Sequence, residues 1–191
     1  NPDDRQTKWP IVEQNHFDGG VQRLAGHGKP GGPSMLGGDI DYVLRAFPNH
    51  PGALYTMMRY KLTHTPLTEP KMRYSAECYF LRAESFRPDD ATVRAIHGHY
   101  LHKTGDDAGA RKRYEEALKL DPASAEVNYN AALFYLDIKE NKLALARARK
   151  AYMLGYPLPG LRDRLRRLGL WADAPASTQW AAGDVVTTAS A

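Results

Sequence analysis

Between Ala91 and Leu158 the small and aromatic residues recur at a spacing of 34 positions. The first block reads ATVRAIHGHYLHKTGDDAGARKRYEEALKLDPAS, and the second reads AEVNYNAALFYLDIKENKLALARARKAYMLGYPL. Counting each block from one, offset eight holds Gly98 and Ala132, and offset eleven holds Leu101 and Tyr135. Offset twenty holds Ala110 and Ala144, and offset twenty-seven holds Ala117 and Ala151. This pattern predicts two helices per block whose backbones approach closely at the small residues, with Leu101, Tyr135 and Tyr114 filling the space beside the crossings. Gly105 predicts a left-handed cap on the first helix of the first block, and Asp106 and Asp107 follow where the next helix needs an N-cap. At the same turn the second block has Lys139, Glu140 and Asn141, a less favourable set.

The pattern extends in both directions. DIDYVLRAF predicts a short helix over 39–47, stopped by Pro48, and FPNHPGAL echoes RPDDATV and DPASAEV as a helix–turn–helix joint. Pro48, Pro88 and Pro122 are spaced by 40 and then 34 residues, which implies an earlier and longer repeat. Its first helix spans 52–62, with Leu54, Met57, Met58 and Lys61 at the packing offsets. Its second spans 71–86, with Ala76, Phe80 and Ala83 at theirs, and the six extra residues fall in THTPLTEP. Beyond Leu158, Leu161, Leu165 and Leu168 line one side of an arginine-rich segment and predict an amphipathic capping helix over 159–168. Gly155 and Gly169 are placed to end the last two helices.

A 34-residue helix–turn–helix unit with small residues at offsets eight, twenty and twenty-seven, and a proline near thirty-two, resembles the tetratricopeptide repeat. Pro122 fits the proline position; the second block has Tyr156 there and Pro157 one later. The resemblance implies an all-α helical array of about three helix pairs plus a capping helix, with extended N- and C-terminal arms. The chain then divides into an arm over 1–38, a helical domain over 39–171 and a tail over 172–191. The arm is rich in glycine and proline, which disfavour a packed helix, yet Trp9 and Phe17 within it call for burial, and VQRLAG suits a short helical turn. The tail is rich in alanine, serine and threonine, with Trp180, Val185 and Val186 as its anchors.

The resemblance also implies protein partners and a binding face made by offsets two, five, nine, twelve and thirteen of each first helix. Carried over, these are Thr92, Ala95, His99, His102 and Lys103 in one block and Glu126, Tyr129, Leu133, Leu136 and Asp137 in the next. Family members that grip a C-terminal carboxylate use lysine and asparagine at offsets five and nine; Ala95, His99, Tyr129 and Leu133 stand there instead, so that clamp is not expected. Tyr129, Leu133 and Leu136 suit an apolar or aromatic segment, supplied either by a partner or by the N-terminal arm.

Composition changes this picture little. Hydrophobic residues make up 42% and charged residues 25% of 191, ordinary for a globular chain, and no run approaches the roughly 18 apolar residues of a membrane span. The net charge of +4 is concentrated in Arg147, Arg149, Lys150, Arg162, Arg164, Arg166 and Arg167. Solvated faces and helix C-termini account for these better than nucleic acid does. The single cysteine, Cys78, allows no intrachain disulfide and is expected as a small buried residue. A chain beginning at Asn1 suggests a processed or trimmed form. GGDIDYVLRAFPNHPGAL and LGYPLPGLR resemble parts of exported bacterial repeat proteins, which implies a periplasmic or extracellular setting.

Candidate chemistry is sparse. His97, His99 and His102 are the one histidine cluster, but 97 and 99 point about 200° apart on a helix, and two histidines without a fitting acid make a weak metal signal. GHGKPGG lacks the order of a phosphate-binding loop, and no nucleophile–base arrangement is present. No cofactor, metal or catalytic residue is expected. The sequence therefore predicts a non-enzymatic interaction and assembly protein whose arms join copies of itself into a homo-oligomer or filament, or dock it in a larger complex. The alternative is an adaptor whose groove takes a short segment of an unrelated partner.

Overall fold

The computed structural model describes residues 8–25, 36–63 and 72–172. Its contacts divide the chain into two units, 1–157 and 158–191. The first unit holds α1 (Trp9–His16), α2 (Gly19–Gln22), α3 (Leu36–Ala46), α4 (Pro51–Thr63), α5 (Ala76–Phe86), α6 (Ala91–Lys103), α7 (Asp107–Leu120), α8 (Ala125–Asp137) and α9 (Asn141–Met153). The second holds α10 (Gly160–Arg167). Among the described residues all regular structure is helical, and α4/α5, α6/α7 and α8/α9 are the three helix pairs.

Short polar residues start these helices. Ser75, Asp90, Asp106 and Ser124 each accept a hydrogen bond from a backbone N–H in the first turn of α5, α6, α7 and α8, satisfying donors that a helix leaves unpaired. Asn49 donates to Asp90 at 3.1 Å, so the turn before α4 braces the turn before α6. Gly105, at φ +90°, ends α6: its N–H bonds to His102 O at 3.1 Å and that of Asp106 to Leu101 O at 2.9 Å. The equivalent turn after α8 repeats both bonds, to Leu136 O and Tyr135 O, around Lys139 at φ +63°. A lysine thus occupies a conformation that costs an L-residue about 1–2 kcal/mol. The N-cap beside it, Glu140, makes no capping bond because its carboxylate is turned to the Arg111 guanidinium.

Close approach at small residues holds the later pairs. A β-carbon on Gly98 would lie 3.1 Å from the Tyr114 ring and 3.2 Å from Ala110 O, so α6 and α7 nearly touch backbone to backbone. Ala132, Ala144 and Ala151 are fully buried between α8 and α9 in the equivalent places. The first pair differs: α4 and α5 meet far less extensively, because the crossing position carries Met58 where the others carry Gly98 and Ala132. Lys61 at offset eleven is half-buried there, and burial lowers its pKa against the pull of Glu77 and Asp41.

The N-terminal segment expected to be extended is helical over its described part. Asp18 caps α2 through Gly20 N at 2.8 Å and Val21 N at 2.9 Å, and Pro10 sits in the first turn of α1, where its missing N–H costs nothing. Phe17 and Val21 are buried in the same cluster as Ile40, Leu54 and Phe80, each contributing roughly 1.5–3 kcal/mol. Glycine and proline disfavour helix on average, but two buried side chains and a cap outweigh that average. α1 packs on α3, and α2 packs on α3 and α4.

Two burial expectations also fail. Cys78 is exposed, since α5 buries 76, 79, 80, 83 and 84 and position 78 falls on the other side. In the second unit Leu161 and Leu165 are buried, but Leu168, at the end of α10, is 55% exposed. No helix among the described residues is long and apolar enough to cross a membrane.

Replacing Gly98 by leucine should lower stability by about 1–3 kcal/mol or more, because the crossing has no room for a branched side chain. An unchanged melting point would contradict the packing described. Lys139→Gly should act oppositely and raise stability by about 0.5–1 kcal/mol in urea unfolding, the left-handed strain relieved exceeding the glycine entropy cost.

Candidate functional site

The first helices of successive pairs lie side by side, α4 against α6 and α6 against α8. The residues expected to share a binding face stand at offsets two, five, nine, twelve and thirteen of these helices. On α6 these are Thr92, Ala95, His99, His102 and Lys103; on α8 they are Glu126, Tyr129, Leu133, Leu136 and Asp137. The same offsets on α4 add Gly52, Tyr55, Arg59, Leu62 and Thr63. Offsets counted from Pro51 in the sequence point to these residues.

The predicted residues differ in accessibility. Ala95, Tyr129 and Leu136 are buried at 5, 8 and 5% exposure, while His99, His102 and Leu133 are half-buried and Lys103 and Asp137 exposed. Tyr129 is covered by its own pair: its ring stacks on Tyr156 with centroids 4.0 Å apart and meets Tyr152 edge-on at 6.4 Å. Polar replacement of Tyr129 or Leu136 would therefore disturb packing as well as the surface. Tyr55 remains 46% exposed although one side of its ring faces His99 at 6.4 Å.

The three histidines of α6 separate as the helical geometry predicts. His97 is buried, stacked on Phe80 at 4.6 Å, with Nδ1 2.7 Å from Glu84 Oε1. Glu84, on α5, also meets Arg94 at 2.7 Å and Arg113 at 3.2 Å. Burial would push its carboxyl up, but the His97 hydrogen bond and the charges of His97, Arg113 and Arg94 outweigh burial and hold it below the usual range. This network ties α5, α6 and α7 together and leaves His97 no part in the surface.

His102 joins the next two helices. Its Nδ1 lies 2.6 Å from Asp107 Oδ1 on α7 and its Nε2 3.4 Å from Asp137 Oδ2 on α8, with Phe134 edge-on at 5.3 Å. His99 has neither contact. Burial lowers its pKa, Lys103 and His102 lower it further, and Asp137 opposes them only in part. His99 is therefore held toward its neutral form beside the Tyr55 ring, with the charges of Lys103 and Asp137 nearby. Among the described residues no group of three or more histidine, cysteine, aspartate or glutamate side chains is placed to hold a metal ion.

The N-terminal anchors are seated on the same chain. Trp9 stacks on His50 at 4.3 Å and meets Phe47 at a tilt, 5.3 Å away, and Phe17 lies over Gly52, where an added β-carbon would meet its ring at 3.1 Å. His50 accepts from Ala53 N at 3.1 Å through Nδ1, so its Nε2–H donates to Glu13 of α1 at 3.0 Å. Trp180, Val185 and Val186 lie outside the described residues.

The lowered pKa of His99 fixes the sign of one pH effect. The unfolded chain takes up the proton near pH 6.5 while the folded chain resists it, so the stability due to neutral His99 is complete above that pH and is lost as pH falls. The stability of the wild type relative to His99→Gln should decline in urea titrations between about pH 7.5 and 5. A flat or rising difference would contradict the burial assigned to His99.

In comparisons with known proteins, a family model described as TPR repeat matches residues 98–138. No curated protein matches the chain. The matched stretch runs from the Gly98 crossing in α6 through α7 to the end of α8, with the similar pair α8/α9 completing after it and the looser pair α4/α5 before it. Over those residues the chain is similar to the tetratricopeptide repeat.

Proposed function

We propose that this protein is a non-catalytic interaction scaffold whose surface along α4, α6 and α8 receives an extended segment of a partner protein. Tetratricopeptide arrays act in protein–protein interaction, and a repeat fold by itself says no more than that. The observation that carries the finer reading is the Tyr55–His99 pair. A tyrosine 46% exposed, on a neutral half-buried imidazole, sits where neighbouring first helices meet. Leu133 on α8 continues the same row at the offset of His99. Large, rigid aromatic side chains that are partly exposed are the residues that anchor interfaces.

Assembly of copies is the second reading, and the contacts of the N-terminal segment weigh against it at that end. Trp9 and Phe17 are occupied within their own chain, so exchanging that segment would forfeit the contacts it already makes. The tail, with Trp180, Val185 and Val186, is the remaining candidate for joining copies. The mass of the intact chain, compared with that of a chain ending at residue 172, separates the two readings.

The docking reading is tested with labelled peptides chosen from a random library on the intact chain. A Tyr55→Ser, His99→Ser, Leu133→Ser triple variant should keep its helical circular dichroism and lose about tenfold or more in affinity for them. Retained affinity would place binding elsewhere.

A further inference from the structure

The α8 end of this surface carries a group that the repeat pattern does not explain. Tyr129, Tyr152 and Tyr156 form an aromatic cluster, with Tyr129 stacked on Tyr156 at 4.0 Å and edge-on to Tyr152 at 6.4 Å. Tyr156 stands at the offset where the other repeats have proline, so the cluster is a substitution at the joint rather than part of the pattern. Tyr152 and Tyr156 are both partly exposed, and Glu126, in the first turn of α8, is exposed beside them. The Glu126 carboxylate is near enough to push the Tyr156 phenol up in pKa, adding to the effect of burial. Among the described residues Glu126 makes no ion pair.

The chemistry of this group selects one kind of guest. Tyrosine faces are electron-rich and attract a guanidinium or ammonium, and the attraction strengthens where the ring is partly desolvated. A carboxylate beside the rings adds a charged acceptor, to which guanidinium can bond through two N–H groups. An acidic side chain would meet both Glu126 and the ring faces with the wrong sign. Glu126 at the second position of α8 also gains from the helix dipole, which accounts for the carboxylate but not for three tyrosines gathered next to it.

We infer that the Glu126–Tyr152–Tyr156 corner is a subsite for a basic side chain, arginine or lysine, of the bound segment. The inference rests on the docking reading above and names the partner chemistry at one end of that surface. The partner is a protein segment with a basic residue at the α8 end and an apolar or aromatic residue reaching toward Tyr55 and His99.

The test is selection from a random peptide library on the intact chain, repeated with Glu126→Lys and Tyr156→Ala. Peptides selected by the wild type should be enriched in arginine or lysine at one position, and those selected by Glu126→Lys in aspartate or glutamate at that position. A basic peptide should lose about tenfold in affinity on Tyr156→Ala; melting curves show whether that variant is folded, and the reversal by Glu126→Lys stands without it. Selected peptides with no basic preference, or a preference that Glu126→Lys leaves in place, would overturn the subsite while leaving the docking surface intact. Failure of the chain to select any peptide would overturn the docking surface and the subsite together.

Discussion

The near-contact of helix backbones at small residues is the constraint on which the rest of the array depends. A β-carbon on Gly98 would crowd Tyr114 and the Ala110 carbonyl between α6 and α7, and Ala132, Ala144 and Ala151 are fully buried between α8 and α9. Once two helices are that close, their remaining side chains have fixed destinations. Tyr114 stacks on Phe134 at 5.0 Å. Where the constraint is relaxed, at Met58, α4 and α5 separate and a charged residue, Lys61, enters the joint.

Polar joints then hold neighbouring pairs in register. Glu84 gathers His97, Arg94 and Arg113 from two later helices, and Asp41 of α3 takes Tyr79 of α5 and Arg45. Arg82 reaches back to the carbonyls of Leu44 and Arg45 at 3.1 and 3.0 Å, closing the C-terminus of α3. Such buried groups contribute less to net stability than apolar burial, yet losing one partner leaves a buried charge uncompensated at a cost of about 3–5 kcal/mol. They are thus better suited to fixing which helix faces which than to driving collapse.

Much of this was legible in the sequence, for physical reasons that differ from element to element. The 34-residue period and its glycine and alanine positions gave the two later pairs, because a side chain too large at a crossing cannot be accommodated. Gly105, Gly155 and Gly169 marked helix ends because each needs a positive φ. The N-terminal helices were hidden by composition: the glycines around α1 and α2 suggest a coil, and what decides otherwise is the burial of Phe17 and Val21 against distant residues. The exposure of Cys78 and Leu168 depended on which side of a helix faces a neighbour, which a short amphipathic pattern leaves open. At the candidate site the row of residues was legible from the offsets. The covering of Tyr129 by Tyr156 was not, since it joins residues 27 positions apart through the turn after α9.

The central claim is that the row along α4, α6 and α8 is the surface on which a partner lies. Backbone and side-chain chemical-shift mapping of the intact chain, titrated with a peptide it selects, tests that claim most directly. The account predicts shifts concentrated at Tyr55, His99, Leu133 and Tyr156 and across the residues flanking them. Shifts confined to α5, α7 and α9, with that row unmoved, would contradict it.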